Sequence, residues 1–370
     1  MLPCREKYKN RYLACEFWYV QQNGCRAACE TDGSLQKRAG HQRSRVPQKQ
    51  ATEAISFSFE DQRGFVVALE SPKIQASVKG AKAESHWFGL DDEKNAGQRN
   101  DVLNSAAPKM HYLKAGSGPP LLLVHGLLGG SFCWRFNLPE LAARRTVYAV
   151  DMAGLGLSDA SRYADCSMAA QAARLGSFIH ALRLGPVDVV ASSWGGAVAL
   201  LLAATNANVR SLILAAPVNP WSAFGRERVS SFSGRLAGFL LPRLLPFSRR
   251  FQRPYLERLY GDPHRIPSGT IEGYAALITR RGRGHNLLSI LRGWQKDVDE
   301  VQAAIPRVKA PTRLIWGSQD RAVDPASAEA LQRALPGSAL AVMPGVGHLP
   351  FEESPAEFNR LVLEFLAKAN

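Results

Sequence analysis

No apolar run in the sequence reaches the ~20 residues that a membrane-spanning helix requires. No secretory leader is expected either: residues 1–11 are basic, but the apolar residues that come after them are interrupted by Glu16. Cysteine is sparse. Four of the six cysteines fall in the first 29 residues, and none makes the paired CxxC spacing of a zinc site. The expectation is a cytoplasmic protein with free thiols, no metal and no organic cofactor. Lysine is missing from residues 218–293, which hold thirteen arginines and four acidic residues, +9 of the chain's net +14. That segment is also rich in Leu, Phe and Pro. Arginine charge set among apolar residues is not the Lys-rich tail or the motif of a nucleic-acid binder, so nucleic acid is not expected as a partner.

A chain of 370 residues with an ordinary hydrophobic fraction of 46% accommodates one large α/β domain with additions. Residues 1–107 differ in texture from the rest of the chain. Positions 36–51 are polar and basic, with little to bury. Residues 55–59 alternate like a strand and can pair with 65–69 across Asp61-Gln62-Arg63-Gly64. One hairpin is marginal alone, so the stretch reads as a largely disordered extension, with a small partner-binding module as the alternative.

From Met110 onward, short β-branched and leucine-rich runs alternate with helical periodicity. Strands are expected at 110–114, 121–124, 146–150, 187–190 and 211–215, with helices at 134–143, 168–184 and 197–204 between them. Such alternation means a mostly parallel sheet covered on both faces. Residues 218–293 interrupt it with proline-broken helical stretches at 236–245 and 274–278. It resumes with a strand at 312–316, a helix at 325–335, a strand at 339–343 and a last helix at 357–368.

The most informative stretch is Ala191-Ser192-Ser193-Trp194-Gly195-Gly196, placed between a buried strand and a packed helix. A serine at such a corner, with small residues two before and two after, is the pattern of a nucleophile elbow. The turn is too tight for larger side chains. It lifts Ser193 to a helix N-terminus, where free backbone N–H groups stabilise an anion. A plain small-residue helix start is the competing reading for the hexapeptide alone.

A serine hydroxyl needs a base, and the base needs an orienting group. His348 comes after the last strand in the loop Gly345-Val346-Gly347-His348, at the carboxyl edge where ligands gather in open α/β sheets. Asp320 comes after the strand at 312–316 through Gly317-Ser318-Gln319, at the same edge. Asp324 competes but precedes Pro325 and reads as a helix cap; Asp297 is a more distant candidate. Two backbone donors for an oxyanion are the amides of Trp194, after the serine, and Leu127, after His125-Gly126. His125 is expected to pack and hold its loop.

These pieces together resemble the α/β-hydrolase-fold family, in its capped serine esterase and lipase-like branch, over residues 108–370. The matching segments are His125-Gly126, the glycine-spaced loop from Asp151 to Asp159, the elbow, Trp316-Gly317-Ser318-Gln319-Asp320 and Gly347-His348. The resemblance implies an eight-stranded, mostly parallel sheet with helices on both faces. It also implies a helical cap inserted after the sixth strand, where residues 218–293 fall, leaving 108–217 and 294–370 as the core. Asp151 matches a position that fixes the glycine loop. Haloalkane dehalogenases and epoxide hydrolases of similar layout carry Asp at the elbow. Proline iminopeptidases and carbon–carbon bond hydrolases carry glycine- and proline-rich oxyanion loops unlike Leu127-Leu128-Gly129-Gly130.

The expectation is therefore a serine hydrolase with Ser193 as nucleophile, His348 as base and Asp320 as orienting acid. It would act on a small-molecule carboxylic ester with a small or medium apolar acyl group. Acyl transfer, a cofactor-free haloperoxidase reaction, or a non-enzymatic receptor on the same core remain open alternatives. The arginine-rich cap also has the composition of an interfacial helix, so a weak contact with an anionic membrane or lipid is a further expectation. At about 1 kcal/mol per basic group, the cap should co-sediment with anionic vesicles at low salt but not at high salt. Changing Arg243, Arg249 and Arg250 to Gln should abolish the effect; no sedimentation at low salt would leave the cap as an ordinary lid.

Overall fold

The structure is a computed structural model and describes residues 58–60, 66–69, 74–78, 81–89, 108–161, 164–222 and 249–368. Its strands are β1 (Ser58–Glu60), β2 (Val66–Leu69), β3 (Ile74–Val78), β4 (Ala81–Phe88), β5 (Met110–Ala115), β6 (Pro120–Val124), β7 (Thr146–Val150), β8 (Val187–Ser192), β9 (Val209–Ala215), β10 (Thr312–Gly317) and β11 (Ala339–Met343). They form one sheet in the order β1-β2-β3-β4-β5-β7-β6-β8-β9-β10-β11. Strands β6 to β11 pair in parallel, while β5 runs antiparallel to both β4 and β7. The eight strands from β4 to β11 are the sheet the family resemblance implies.

The residue sequence explains the layering. The central strands are buried on both faces, and their side chains sort by the two-residue period of a strand. Leu122, Val124, Val189, Ala191, Leu212, Leu214, Leu314 and Trp316 face one core. Leu121, Leu123, Val190, Ile213, Ala215 and Ile315 face the other. On the first face lie α2 (Met168–Ala181), α3 (Ser193–Thr205) and the inner part of α6 (Arg283–Ala304). On the second lie α1 (Leu138–Ala142) and α9 (Pro355–Lys368). Helix α2 starts at Ser167, whose hydroxyl accepts from the Ala170 amide at 3.2 Å.

Two expected boundaries move. The core begins upstream of residue 108, because β4 pairs with β5 along its length, from Ala83 opposite Ala115 to Phe88 opposite Met110. Phe88 is 6% exposed and meets Phe178 of α2 edge to face at 5.4 Å. The hairpin read at 55–69 is present as β1 against β2, and with β3 it extends the sheet by three antiparallel strands beyond β4. The other boundary is residue 293. Helix α6 runs unbroken across it, and Ile290 and Trp294 both enter the first core. The expected helix at 236–245, the polar stretch at 36–51 and the four N-terminal cysteines lie outside the described residues.

Between β9 and α6, the described part of the insertion contains α4 (Arg249–Leu259) and α5 (Thr270–Ile278). Their residues Leu256, Leu259, Tyr274 and Ile278 join the second core beside Leu349 and Phe351, the latter in the short helix α8 (Pro350–Glu353). Among the described residues, no helix is long and apolar enough to cross a membrane.

Removing residues 1–105 would delete β4 and bare β5. Loss of one buried Phe alone costs about 3–5 kcal/mol, and each kcal/mol moves the melting point by roughly 2–4 °C at this size. The truncated protein should therefore melt ~10 °C or more below the full chain, or be insoluble, in a thermal circular-dichroism scan; equal melting points would show that β4 adds nothing to stability.

Candidate functional site

Five loops meet at the carboxyl ends of the parallel strands. Val124 of β6 pairs with Ala191 of β8, so the loops after them, His125-Gly126 and Ser192-Ser193, are neighbours. Ser193 opens α3 with φ of 53°, a left-handed conformation that a side chain resists. The sequence relieves the crowding with glycine. A Cβ at Gly195 would stand 2.2 Å from the His125 carbonyl oxygen, and one at Gly196 would stand 2.6 Å from Pro217 Cβ. Ala191, two residues before the serine, is fully buried in the first core and its methyl is accommodated.

His348 and Asp320 arrive from β11 and β10. His348 Nε2 lies 2.9 Å from Ser193 Oγ, and its Nδ1 lies 2.8 Å from Asp320 Oδ2. The other Asp320 oxygen accepts from the amides of Ala322 at 2.7 Å and Val323 at 2.9 Å, which fixes the carboxylate. A carboxylate can only accept, so the His348 proton sits on Nδ1 and Nε2 is left to accept from the serine hydroxyl. The three predicted residues are thus brought together in one hydrogen-bonded chain.

The competing acids go elsewhere. Asp324 accepts from the Ala326 amide at 2.9 Å at the start of α7 (Ala326–Ala334), as expected of a cap. Asp297 accepts from the Met168 amide at 3.1 Å and caps α2; its burial pushes its carboxyl up to about 6. His125 is fully buried, and burial holds it below the ordinary histidine range. Its Nδ1 donates to the Gly126 carbonyl at 2.7 Å and its Nε2 accepts from the Met152 amide at 3.0 Å, so it ties two loops together.

Asp151 organises the glycine loop. It accepts from the Ser131 amide at 2.6 Å and from His111 Nδ1 at 2.5 Å. Burial alone would raise its pKa, but the His111 hydrogen bond and charge hold it below the usual carboxylate range. His111 Nε2 in turn meets Ser85 Oγ of β4 at 2.9 Å. A Cβ at Gly156, which has φ of 54°, would fall 2.0 Å from Asp151 Oδ1.

Of the two residues expected to supply oxyanion amides, Leu127 lines the same cleft, and Trp194 comes directly after the cleft-lining Ser193. Trp194 lies in the first turn of α3, where N–H groups lack intrahelical partners. Leu127 sits in the turn closed by the Gly129 amide on the Gly126 carbonyl at 3.1 Å, with Leu128 left-handed at φ of 61°. The cleft has about 580 Å³ of open space, its solvent mouth included, and Leu128, Leu256, Leu259, Ile278 and Phe351 line it together with Ser193 and His348. Cys133 also borders the cleft, but burial pushes its thiol well up, so it stays protonated and is a poor nucleophile.

One cluster has no counterpart among the residues that the sequence patterns single out. Glu352 accepts from Arg135 Nη1 at 2.9 Å, from the Tyr260 hydroxyl at 2.7 Å and from the Tyr274 hydroxyl at 2.6 Å. Burial, helped by the Glu352 charge, pushes both tyrosines well up, so they remain donors. This ties the insertion to the core. The available signal is an acidic pair between Pro350 and Pro355, directly after His348. Among the described residues, no cluster of metal-ligating side chains is present.

Comparison with known proteins agrees with this fold. A family model described as the alpha/beta hydrolase family matches residues 121–361. An uncharacterized protein of Mycobacterium tuberculosis is 31% identical over 278 residues, which cover 68% of this chain and 76% of that one. A monoacylglycerol lipase of Rattus norvegicus is 25% identical over 263 residues, covering 70% and 78%. The solved structure of a thermophilic esterase from Thermogutta terrifontis superposes with a TM-score of 0.62 at 26% identity, covering 72% of this chain and 96% of that one.

The geometry separates Asp320 from Asp324 as the group that orients His348. With an activated ester, Asp320→Asn should lower kcat by roughly 10⁴-fold, the scale for neutralising such an acid. Asp324→Asn should stay within about threefold of the parent, since its carboxylate serves a helix end. The reverse ranking in steady-state kinetics would move the role to Asp324.

Proposed function

Because this chain belongs to the alpha/beta hydrolase family, we propose that it is a serine hydrolase that cleaves a carboxylic ester with a small or medium apolar acyl group. The observation that carries the reading is the chain of hydrogen bonds from Ser193 Oγ to His348 Nε2 and from His348 Nδ1 to Asp320. His348 takes the serine proton as Ser193 Oγ attacks the ester carbonyl. Asp320 holds the imidazole in the tautomer that accepts at Nε2 and stabilises the imidazolium that forms. The tetrahedral oxyanion lies on the Leu127 and Trp194 amides, and one such donor is worth roughly 10²–10³ in rate. The intermediate collapses, His348 protonates the departing alcohol, and the acyl group stays on Ser193. Water, activated by His348, then releases the acid.

Support for the ester class comes from the apolar walls of the cleft and from the relatives, among them a lipase and an esterase by name. Aliphatic side chains at Leu256, Leu259 and Ile278 suit an acyl chain and offer nothing to a charged one. Acyl transfer would use the same acyl-enzyme with an alcohol in place of water.

A panel of nitrophenyl esters of rising chain length tests the proposal. kcat/KM should peak at a short or medium acyl chain, and Ser193→Ala should abolish turnover while leaving the melting temperature within about 2 °C, a surface-like change for a one-atom deletion. Ser192→Ala should be mild, because Ser192 ends β8 rather than starting α3. Absence of turnover across the panel by the parent protein would remove the ester reading.

A further inference from the structure

The His348 loop is built from residues with little rigidity of their own. Gly345 is left-handed at φ of 68°, and Gly347 comes two residues later. Yet the imidazole must meet Ser193 and Asp320 at once, at 2.9 and 2.8 Å. The loop is therefore held from outside. On one side, a Cβ at Gly317 of β10 would come within 2.0 Å of the Gly347 carbonyl oxygen. On the other, a Cβ at Gly347 would come within 2.3 Å of the Gly261 amide nitrogen and 2.4 Å of the Leu259 carbonyl oxygen. Leu259 and Gly261 belong to the insertion, at the end of α4.

Glu353 joins these two chains. Its Oε2 accepts from the Gly347 amide at 2.8 Å and from the Gly261 amide at 2.9 Å, and its Oε1 accepts from the Asp262 amide at 3.1 Å. The side chain is fully shielded from solvent, with Arg265 Nη1 at 3.9 Å on its outer side. The next amide along, that of His348 itself, donates to the Leu259 carbonyl at 2.6 Å. Two successive amides, at 347 and 348, are thus pinned to the insertion, one through a buried carboxylate and one directly.

We propose that Glu353 is a positioning residue for His348, acting through Gly347 and clasping the base-bearing loop to residues 259–262 of the insertion. The inference rests on the serine hydrolase reading for its effect on rate, but the geometry of the clasp does not. It makes the placement of the base depend on the insertion that walls the cleft. A displaced insertion would pull the Gly347 and His348 amides with it and lengthen the His348–Ser193 hydrogen bond.

The test is Glu353→Gln, which keeps the shape but places an amide NH₂ against backbone N–H donors. kcat per titrated active site should fall on the order of 10–100-fold, the scale for a misplaced catalytic group, with KM within about twofold because no substrate contact is removed. The downfield Nδ1 proton resonance of His348, read by NMR without substrate, should shift or broaden. A tie that merely stabilises the fold would lower the melting temperature and leave both readouts unchanged, and that result in folded protein would overturn the proposal. If Glu353→Gln is insoluble, Glu353→Asp decides: it keeps the charge but shortens the reach by one methylene, and parental kcat with a parental resonance would overturn the proposal equally. Should the parent protein fail to turn over any ester, the serine hydrolase reading falls while the resonance still decides on Glu353.

Discussion

The left-handed backbone at Ser193 is the constraint on which the site depends. A non-glycine residue at φ of 53° costs on the order of 1–3 kcal/mol. It persists because the surroundings leave no alternative. Gly195 lets the elbow approach the His125 carbonyl, Gly196 lets it approach Pro217, and the Ser193 carbonyl accepts from the Val218 amide at 3.0 Å. The same approach that strains the turn brings Gly126 beside the serine, where a Cβ would stand 3.0 Å from Ser193 Cβ. The loop after β6 and the elbow after β8 therefore share one geometry.

Two buried acidic centres extend the order outward from this turn. Asp151 links β4, through Ser85 and His111, to Ser131 and the glycine loop. Glu352 and Glu353 link the insertion to the core and to the base-bearing loop. In both places a carboxylate with little access to water accepts from several fixed donors. Removing any one partner would leave an uncompensated buried charge or an unmet donor. The framework is polar where loops must be held and apolar where strands and helices pack.

What could be read from the sequence was local. The elbow stood out because strand, small residues and helix are contiguous, and the all-apolar run Leu121 to Val124 marked a strand covered on both faces, as the structure has it. Asp320 and His348 were legible because each comes directly after a β-strand, where open sheets gather their functional groups. Strand β4 was harder to see. Its Glu84 and Trp87 point to solvent and it is half polar, so nothing in its composition announced an interior partner. The end of the insertion was hidden because α6 carries no proline where it passes from cap to core, and the helix runs on through Gly293. Glu352 and Glu353 showed only as an acidic pair between prolines, and what they hold was hidden, because Tyr260, Gly261 and Asp262 lie 91 or 92 residues away and the latter two contribute backbone amides with no side-chain signature.

The central claim is that Ser193 is the one nucleophile, activated by His348. A fluorophosphonate probe followed by peptide mass spectrometry reads this directly, because the probe bonds only to a serine whose proton a neighbouring base can take. A single adduct on Ser193, lost when His348 is changed to Gln, is the predicted result. An adduct on Ser192 or Cys133, or no adduct on the folded protein, would contradict it.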